Sequence, residues 1–192
     1  AADPQKGLPA MMVASWLNDS PVMVYAGQEF GEKGMDQEGF SGMDGRTTIF
    51  DYWSVDTIRR GYFDSRQMKK AERELRDSYS KILSLANAED ALREGDTYDL
   101  MYVNHGLAER QFAFLRKQGR QMILVVVNFS DVVAECDVVL PQYVFEFWNM
   151  KGGSVRASDL LTGETLQMTI GPDMPVSVSI PAWGGRAYKF IL

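Results

Sequence analysis

Cysteine and histidine are nearly missing from this chain of 192 residues, with Cys136 and His105 the sole examples of each. A lone cysteine excludes an intrachain disulfide and fits a reducing compartment. Cys136 lies between Glu135 and Asp137, so alternation turns it toward an interior as an inert thiol. His105 falls in the turn-like run Val103-Asn104-His105-Gly106. A zinc cluster or a histidine-based triad needs partners that the sequence does not offer, which leaves His105 a surface or structural role. Long hydrophobic runs are also missing. The longest, residues 122–127, is the size of a strand and far short of a membrane span. No Walker loop, dinucleotide fingerprint, metalloprotease helix or EF-hand occurs. Gly31-Glu32-Lys33-Gly34 is a weak glycine signal in acidic surroundings that oppose phosphate.

Basic charge is scarce as well. Acidic side chains number 26 against 20 basic ones, a net charge of -6. Lys69, Lys70, Arg73 and Arg76 alternate with Glu72, Glu74 and Asp77, which describes a solvated helix face. Nothing here attracts a nucleic-acid backbone or a membrane surface. The chain opens Ala1-Ala2-Asp3-Pro4, with no initiating methionine, basic leader or apolar signal segment. That start is compatible with an excised chain and leaves localisation unknown.

What is present divides into two styles. Residues 8–17 are mostly apolar and read as a buried helix, with Pro9 tolerated in the first turn. After a stop at Asn18-Asp19-Ser20-Pro21, residues 22–26 form a continuous apolar strand ending at Gly27. Helix, turn and apolar strand is the rhythm of a parallel α/β sheet. Residues 28–62 carry no sustained period, far more than an ordinary connection. Asp64 and Gln67 are spaced as a helix-starting box. Met68, Ala71, Leu75, Tyr79, Ile82, Leu83 and Ala86 then make one apolar stripe, with Glu72/Arg76 and Asp77/Lys81 as helical ion pairs. From residue 87 onward, short β-rich runs alternate with turns: 98–103, 111–117, 122–129, 134–140, 144–148, 154–157, 165–170, 176–180 and 186–191. That spacing predicts an antiparallel sandwich or barrel.

The expected organisation is therefore an α/β part over residues 1–86 and an all-β part over 87–192. One strand cannot make a sheet, so the first part needs neighbours from upstream or from a partner chain. Its chemistry-bearing segment is residues 28–53. Carboxylates (Glu29, Glu32, Asp36, Glu38, Asp44, Asp51) mix there with Phe30, Phe40, Phe50, Tyr52 and Trp53, while Gln28 and Arg46 can donate hydrogen bonds. Ring faces with a few directional polar groups suit a concave ligand site, and sugars match that mixture. A solvated loop whose aromatics cover a core edge is the plainer alternative. Gln28 and Glu29 directly follow the apolar strand, where a barrel collects catalytic groups. Arg46 could pair with Glu29 or with a nearby Asp, and a structural bridge orienting the loop is the favoured role. Trp148 and Trp183 are further candidate carbohydrate contacts, or simply packing residues.

Pro21-Val22-Met23-Val24-Tyr25-Ala26-Gly27-Gln28-Glu29 and Asp44-Gly45-Arg46-Thr47-Thr48-Ile49-Phe50 resemble the eighth barrel strand and following loop of the α-amylase superfamily, glycoside hydrolase family 13. Residues 75–83, Asn87 and Ala91-Leu92-Arg93-Glu94-Gly95 look like the last barrel helix running into domain C. Leu124-Val125-Val126-Val127-Asn128-Phe129-Ser130 and Leu160-Leu161-Thr162-Gly163-Glu164 resemble that β-sandwich. The resemblance implies an α+β fold: the last strand and helices of a (β/α)8 TIM barrel, then an antiparallel sandwich of about eight strands. It implies a C-terminal portion of a retaining glycosidase for α-glucans such as starch or maltodextrin. The family's three catalytic carboxylates follow earlier barrel strands, so no residue here inherits a catalytic role and the chain alone should be inactive. Tyr25, Gln28, Glu29 and Arg46 match supporting positions near the substrate cleft, and Phe40, Trp53, Trp148 and Trp183 are candidate sugar contacts. No cofactor or metal is implied, since a family calcium site relies mainly on upstream residues. The implied partners are the upstream barrel and an α-glucan, with homodimerisation through the exposed barrel remnant as a further expectation. A carbohydrate-binding module and a partner-completed interaction protein are the other readings of the chain. A transglycosylase, branching enzyme or α-glucosidase are the other readings of the parent.

Overall fold

The computed structural model describes residues 3–32, 55–107 and 109–192. The chain separates into two compact units, one of Ala1–Leu8 with Val22–Lys81 and one of Pro9–Pro21 with Ile82–Leu192. Helix α1 spans Leu8–Trp16, α2 Asp56–Phe63, α3 Lys70–Ala88, α4 Asp90–Glu94 and α5 Gln142–Phe147.

The larger unit contains eight strands: β1 (Asp96–Asp99), β2 (Gln111–Gln118), β3 (Gln121–Asn128), β4 (Ala134–Leu140), β5 (Gly153–Asp159), β6 (Thr165–Ile170), β7 (Met174–Ile180) and β8 (Gly184–Ile191). They form a six-stranded sheet in the order β1-β2-β3-β8-β5-β6 and a two-stranded sheet β4-β7. Every pairing is antiparallel. One core joins the two sheets, drawing Leu115, Leu124, Val126 and Phe190 from the larger and Val138, Leu140, Val176 and Val178 from the smaller. The expected antiparallel architecture of about eight strands is present, with the strands shared six to two.

Strand β7 shows how pattern becomes packing. Val176, Val178 and Ile180 are buried, while Ser177 and Ser179 face water. Ser179 pairs in register with Glu135 and donates its hydroxyl to that carboxylate at 2.6 Å. The same alternation leaves Cys136 half-buried against the core. Burial raises the pKa of its thiol, and the flanking Glu135 and Asp137 raise it further, which keeps it unreactive.

Strand β3 is buried from Met122 to Val127 without alternation, because both faces are covered. Helix α4 packs against β2 and β3, and Trp16 of α1 is fully buried, donating its indole N–H to the Ile82 carbonyl at 3.0 Å. The other buried anchor is Arg116, only 1% exposed. It donates to the Ala91 and Leu92 carbonyls at 3.0 Å each, and to the Leu17 carbonyl and Thr97 hydroxyl at 2.7 Å each. These carbonyls lie at the ends of α4 and α1, where helical groups run short of intrahelical partners, although the Ala91 carbonyl also accepts the Gly95 N–H at 3.2 Å. Burial lowers the pKa of the Arg116 guanidinium, and the dipole ends of two helices stand in for a counter-ion.

Three local expectations are corrected. Residues 144–148 form no strand: α5 covers Gln142–Phe147, with the adjacent Val144 and Phe145 buried and Gln142 bonded to Glu146 one turn on. Six residues are too few for periodicity to separate a helix turn from a strand. The aperiodic stretch 28–62 runs into α2, whose single buried residue, Ile58, makes no stripe to detect. Helix α3 starts at Lys70, not Asp64. Asp64 instead accepts from the Gln67 side chain at 2.7 Å, while Glu72 in the first turn reaches back to the Lys69 backbone N–H at 2.9 Å, half of a capping box. Along α3 the stripe holds at Leu75, Tyr79 and Ile82, yet Ala71 is exposed and Glu72 buried.

The apolar run 22–25 is also no strand. Met23 is 82% exposed and Tyr25 46% exposed. Apolar sequence makes a strand only where it joins a ladder, and this run lies outside both sheets.

Candidate functional site

The turn after residue 25 is built by its glycines. Gly27 has φ +85° and Gly31 φ +73°, bracketing a short 3-10 turn over Gln28–Phe30. A Cβ on Gly27 would sit 2.6 Å from the Cβ of Glu32, and one on Gly31 would sit 2.9 Å from Pro4. Left-handed backbone and close approach both require glycine there. The Glu32 N–H closes the loop on the Gly27 carbonyl at 3.0 Å.

Gln28 locks this turn from inside. Its Oε1 accepts the Tyr25 N–H at 3.1 Å, and its Nε2 donates to the Tyr79 hydroxyl at 3.0 Å. Glu29 accepts the Tyr62 phenol at 2.8 Å through Oε1. Its Oε2 is shielded from solvent and has no hydrogen-bond partner among the described residues. Burial raises the Tyr62 pKa, and the hydrogen bond to Glu29 adds to it. Burial likewise raises that of Tyr79. Tyr62 therefore keeps the proton that it donates to Glu29.

Behind the turn, Phe30 meets Tyr62 edge-on at 5.2 Å and fills the space over Gly61, where a Cβ would lie 2.4 Å from the ring. Arg60 grips Glu72 through two hydrogen bonds, Nη2 to Oε1 at 2.7 Å and Nε to Oε2 at 3.2 Å. The hydrogen bond to Glu72 raises the Arg60 pKa. Burial pulls the Glu72 carboxyl up, but hydrogen bonds from Arg60 and the Lys69 N–H outweigh it and hold the pKa below its ordinary value. Glu72 is thus taken by α2 and not by Arg76, as helix spacing alone predicts.

Of the sequence-predicted residues, Tyr25, Gln28 and Glu29 come together in this turn. Arg46, Phe40 and Trp53 lie outside the described residues. Trp148 follows α5 and joins a cluster of aromatic rings on the larger unit. Trp183 sits in the β7–β8 turn at φ +46°, its N–H bonded to the Ser130 carbonyl at 2.9 Å. The sequence did not disclose Tyr62 as a partner of the turn, nor the pairing of Arg60 with Glu72. Tyr79 was visible only as a stripe residue, because a tyrosine at a core position hides what its hydroxyl holds. Among the described residues no three His, Cys, Asp or Glu side chains gather into a metal-binding group. The arrangement can orient a loop and present carboxylate and amide groups; among the described residues it brings no nucleophile together with a base.

No family model and no curated protein matches the chain. Solved structures do. AmyP in complex with maltose aligns with a TM-score of 0.66 at 15% identity, over 99% of this chain and 35% of that one. The α-amylase GTA from Geobacillus thermoleovorans, complexed with acarbose, aligns with a TM-score of 0.60 at 14% identity, over 100% of this chain and 34% of that one. A noncanonic maltogenic α-amylase, AmyB from Thermotoga neapolitana, gives 0.60 at 14% identity, over 98% of this chain and 38% of that one. The chain spans about a third of the length of these structures, and the likeness is one of fold.

Proposed function

We propose that this chain is the C-terminal portion of a retaining glycoside hydrolase acting on α-glucans such as starch or maltodextrin. In this reading residues 1–86 close the catalytic (β/α)8 barrel and residues 87–192 are the β-sandwich that follows it. The observation carrying the proposal is the near-complete alignment of the chain with one third of several amylases, α-helical and β-rich parts in the same match.

The role that follows is support. Run 22–25, apolar and outside both sheets, becomes the last barrel strand once upstream strands flank it. Gln28 and Glu29 then stand at the end of that strand, on the face where barrel enzymes collect their chemistry. Gln28 holds the turn to Tyr79, and Glu29 offers an oxygen to a cleft group. Tyr25 presents an exposed ring at the rim. Nucleophile, acid/base and stabilising carboxylates belong to the upstream barrel.

The test is turnover. Purified chain incubated with soluble starch and with maltodextrin should release no reducing ends above the blank. Cleavage that scales with chain concentration, in material free of host amylase, overturns the proposal. Mixing the chain with the upstream barrel polypeptide should restore glucan cleavage, and Gln28→Ala should lower it through loop misplacement.

A further inference from the structure

The two-stranded sheet of the larger unit has an edge that the described residues leave open. Strand β4 pairs with β7 alone, and successive residues of an antiparallel strand turn their N–H and C=O groups to opposite sides. Val139 shows which side is which. Its N–H donates to Oδ1 of Asn104 at 2.8 Å, and its carbonyl accepts Nδ2 of Asn104 at 3.0 Å, both from outside the sheet. Glu135 and Asp137 share the alternation of Val139, so their backbone groups also face away from β7, where they meet no hydrogen-bond partner among the described residues. The far side of β7 is blunted instead: Pro175 has no N–H to offer, and the Ser179 carbonyl accepts Nε of Arg186 at 2.9 Å.

An unguarded edge is a template for another strand, and the side chains along it select which strand. Glu135 and Asp137 are exposed on the solvent face. Each accepts one serine hydroxyl of β7, from Ser179 at 2.6 Å and from Ser177 at 2.5 Å. One hydroxyl apiece leaves each carboxylate with lone pairs for a cation. Between them Cys136 turns toward the core and is only half-buried. Just ahead of β4, Val132 and Val133 are 62% and 59% exposed.

We propose that this edge docks an extended segment of a partner protein in which basic and apolar side chains alternate. The segment runs antiparallel to β4, as every other pairing in the unit does. Its main chain pairs with Glu135 and Asp137 and stops at Val139, where the Asn104 amide already fills the ladder position. Its basic residues lie opposite the two carboxylates, an arrangement that stabilises a cross-strand pair. The apolar residue between them points the other way and completes the cover over Cys136. A further apolar side chain rests on Val133. A second copy of the chain fits poorly, because the same edge would set carboxylates against carboxylates between molecules of net charge -6. The inference is independent of the α-glucan reading.

Fluorescence anisotropy of the whole chain with a dye-labelled hexapeptide alternating lysine and valine tests it. The controls are the same peptide with glutamate in place of lysine, and one N-methylated at its lysine amides, which cannot donate to the ladder. Saturable binding of the unmethylated lysine peptide alone is expected, weakened at least about 10-fold by Glu135→Lys with Asp137→Lys. Amide exchange at Glu135 and Asp137, read by NMR, should slow when that peptide binds. Both positions are exposed, so the doubly substituted chain should keep its circular dichroism; if it does not, Glu135→Gln with Asp137→Asn, which keeps shape and removes charge, replaces it. No binding of the lysine peptide overturns the proposal. Equal binding of the N-methylated peptide, or unchanged exchange at the two amides, also overturns it, since attraction is then by charge without a ladder. Binding untouched by the substitutions overturns this edge as the site. Light scattering that finds a dimer broken by the lysine peptide overturns it in favour of a second copy.

Discussion

The two units hold themselves together in different ways. The eight-stranded unit closes a dry core between two sheets, and its central strand is covered on both faces. Several of its buried polar groups are matched: Arg116 reaches three carbonyls and a hydroxyl, Asn128 donates to the Val132 and Pro181 carbonyls, and Asn104 bonds both ways with Val139, while the Ser15 hydroxyl and the Trp148 indole N–H have no hydrogen-bond partner among the described residues. The described part of the other unit relies on a handful of apolar contacts around Ile58, Leu75 and Phe30, on the Arg60–Glu72 pair, and on the Gln28 turn, and it leaves Met23, Tyr62 and Phe63 exposed. Two sheets packed face to face cover each other's apolar faces within one unit.

That contrast can be broken, starting with the largest expected effect. Leu124→Ala, at the centre of the two-sided sheet, should cost about 4 kcal/mol in urea unfolding followed by circular dichroism. Arg116→Met keeps volume but leaves the Leu92 carbonyl without its donor, while the Ala91 and Leu17 carbonyls keep the Gly95 N–H and the Thr97 hydroxyl, and should cost about 3 kcal/mol by the same measurement. If either substitution costs less than about 1 kcal/mol, the larger unit does not depend on its closed core. Arg60→Ala should cost about 2 kcal/mol, since the Glu72 carboxylate is left largely buried and unpaired. The pair also predicts a pH effect. The folded Glu72 pKa lies below its ordinary value of 4.5, so its contribution is complete above 4.5 and is lost as pH falls through the lowered value. Glu72→Gln should flatten the acid limb of a melting-temperature titration there, and an unchanged limb would refute the assignment.

Gly61→Ala sharpens the comparison. In an exposed helix this change stabilises by about 1 kcal/mol. Here the new methyl meets the Phe30 ring, so the sign should reverse to a loss of about 1 kcal/mol, read as a lower melting temperature. Smallest of all, Ser179→Ala removes only an exposed cross-strand hydrogen bond and should shift stability by less than about 0.5 kcal/mol.

Legibility followed the same divide. The strands at 134–140 and 165–170 appear in the structure as expected, and β7 keeps its alternation, because period two and turn residues act over a few positions and need no distant partner. Helix α5 was misread because a single turn carries no period. Helix α2 was missed because only Ile58 is buried. In the candidate site, Gln28 and Glu29 stood out by following an apolar run, but their partners Tyr79 and Tyr62 lie 51 and 33 positions away, a distance over which no local signal carries.

By itself the amino-acid order determined which faces are dry, where turns interrupt the β-rich half, and that a single cysteine would sit inert against the core. These follow from side-chain chemistry over short separations. Only tertiary structure decided that Glu72 serves Arg60 rather than Arg76, that Arg116 joins two helix ends, that five aromatic rings from distant segments share one surface, and that residues 22–25 remain unladdered among the described residues. Each of those depends on which backbone groups arrive opposite one another once the chain is compact, and hydrogen bonds and ion pairs form with whatever arrives at the right distance and angle.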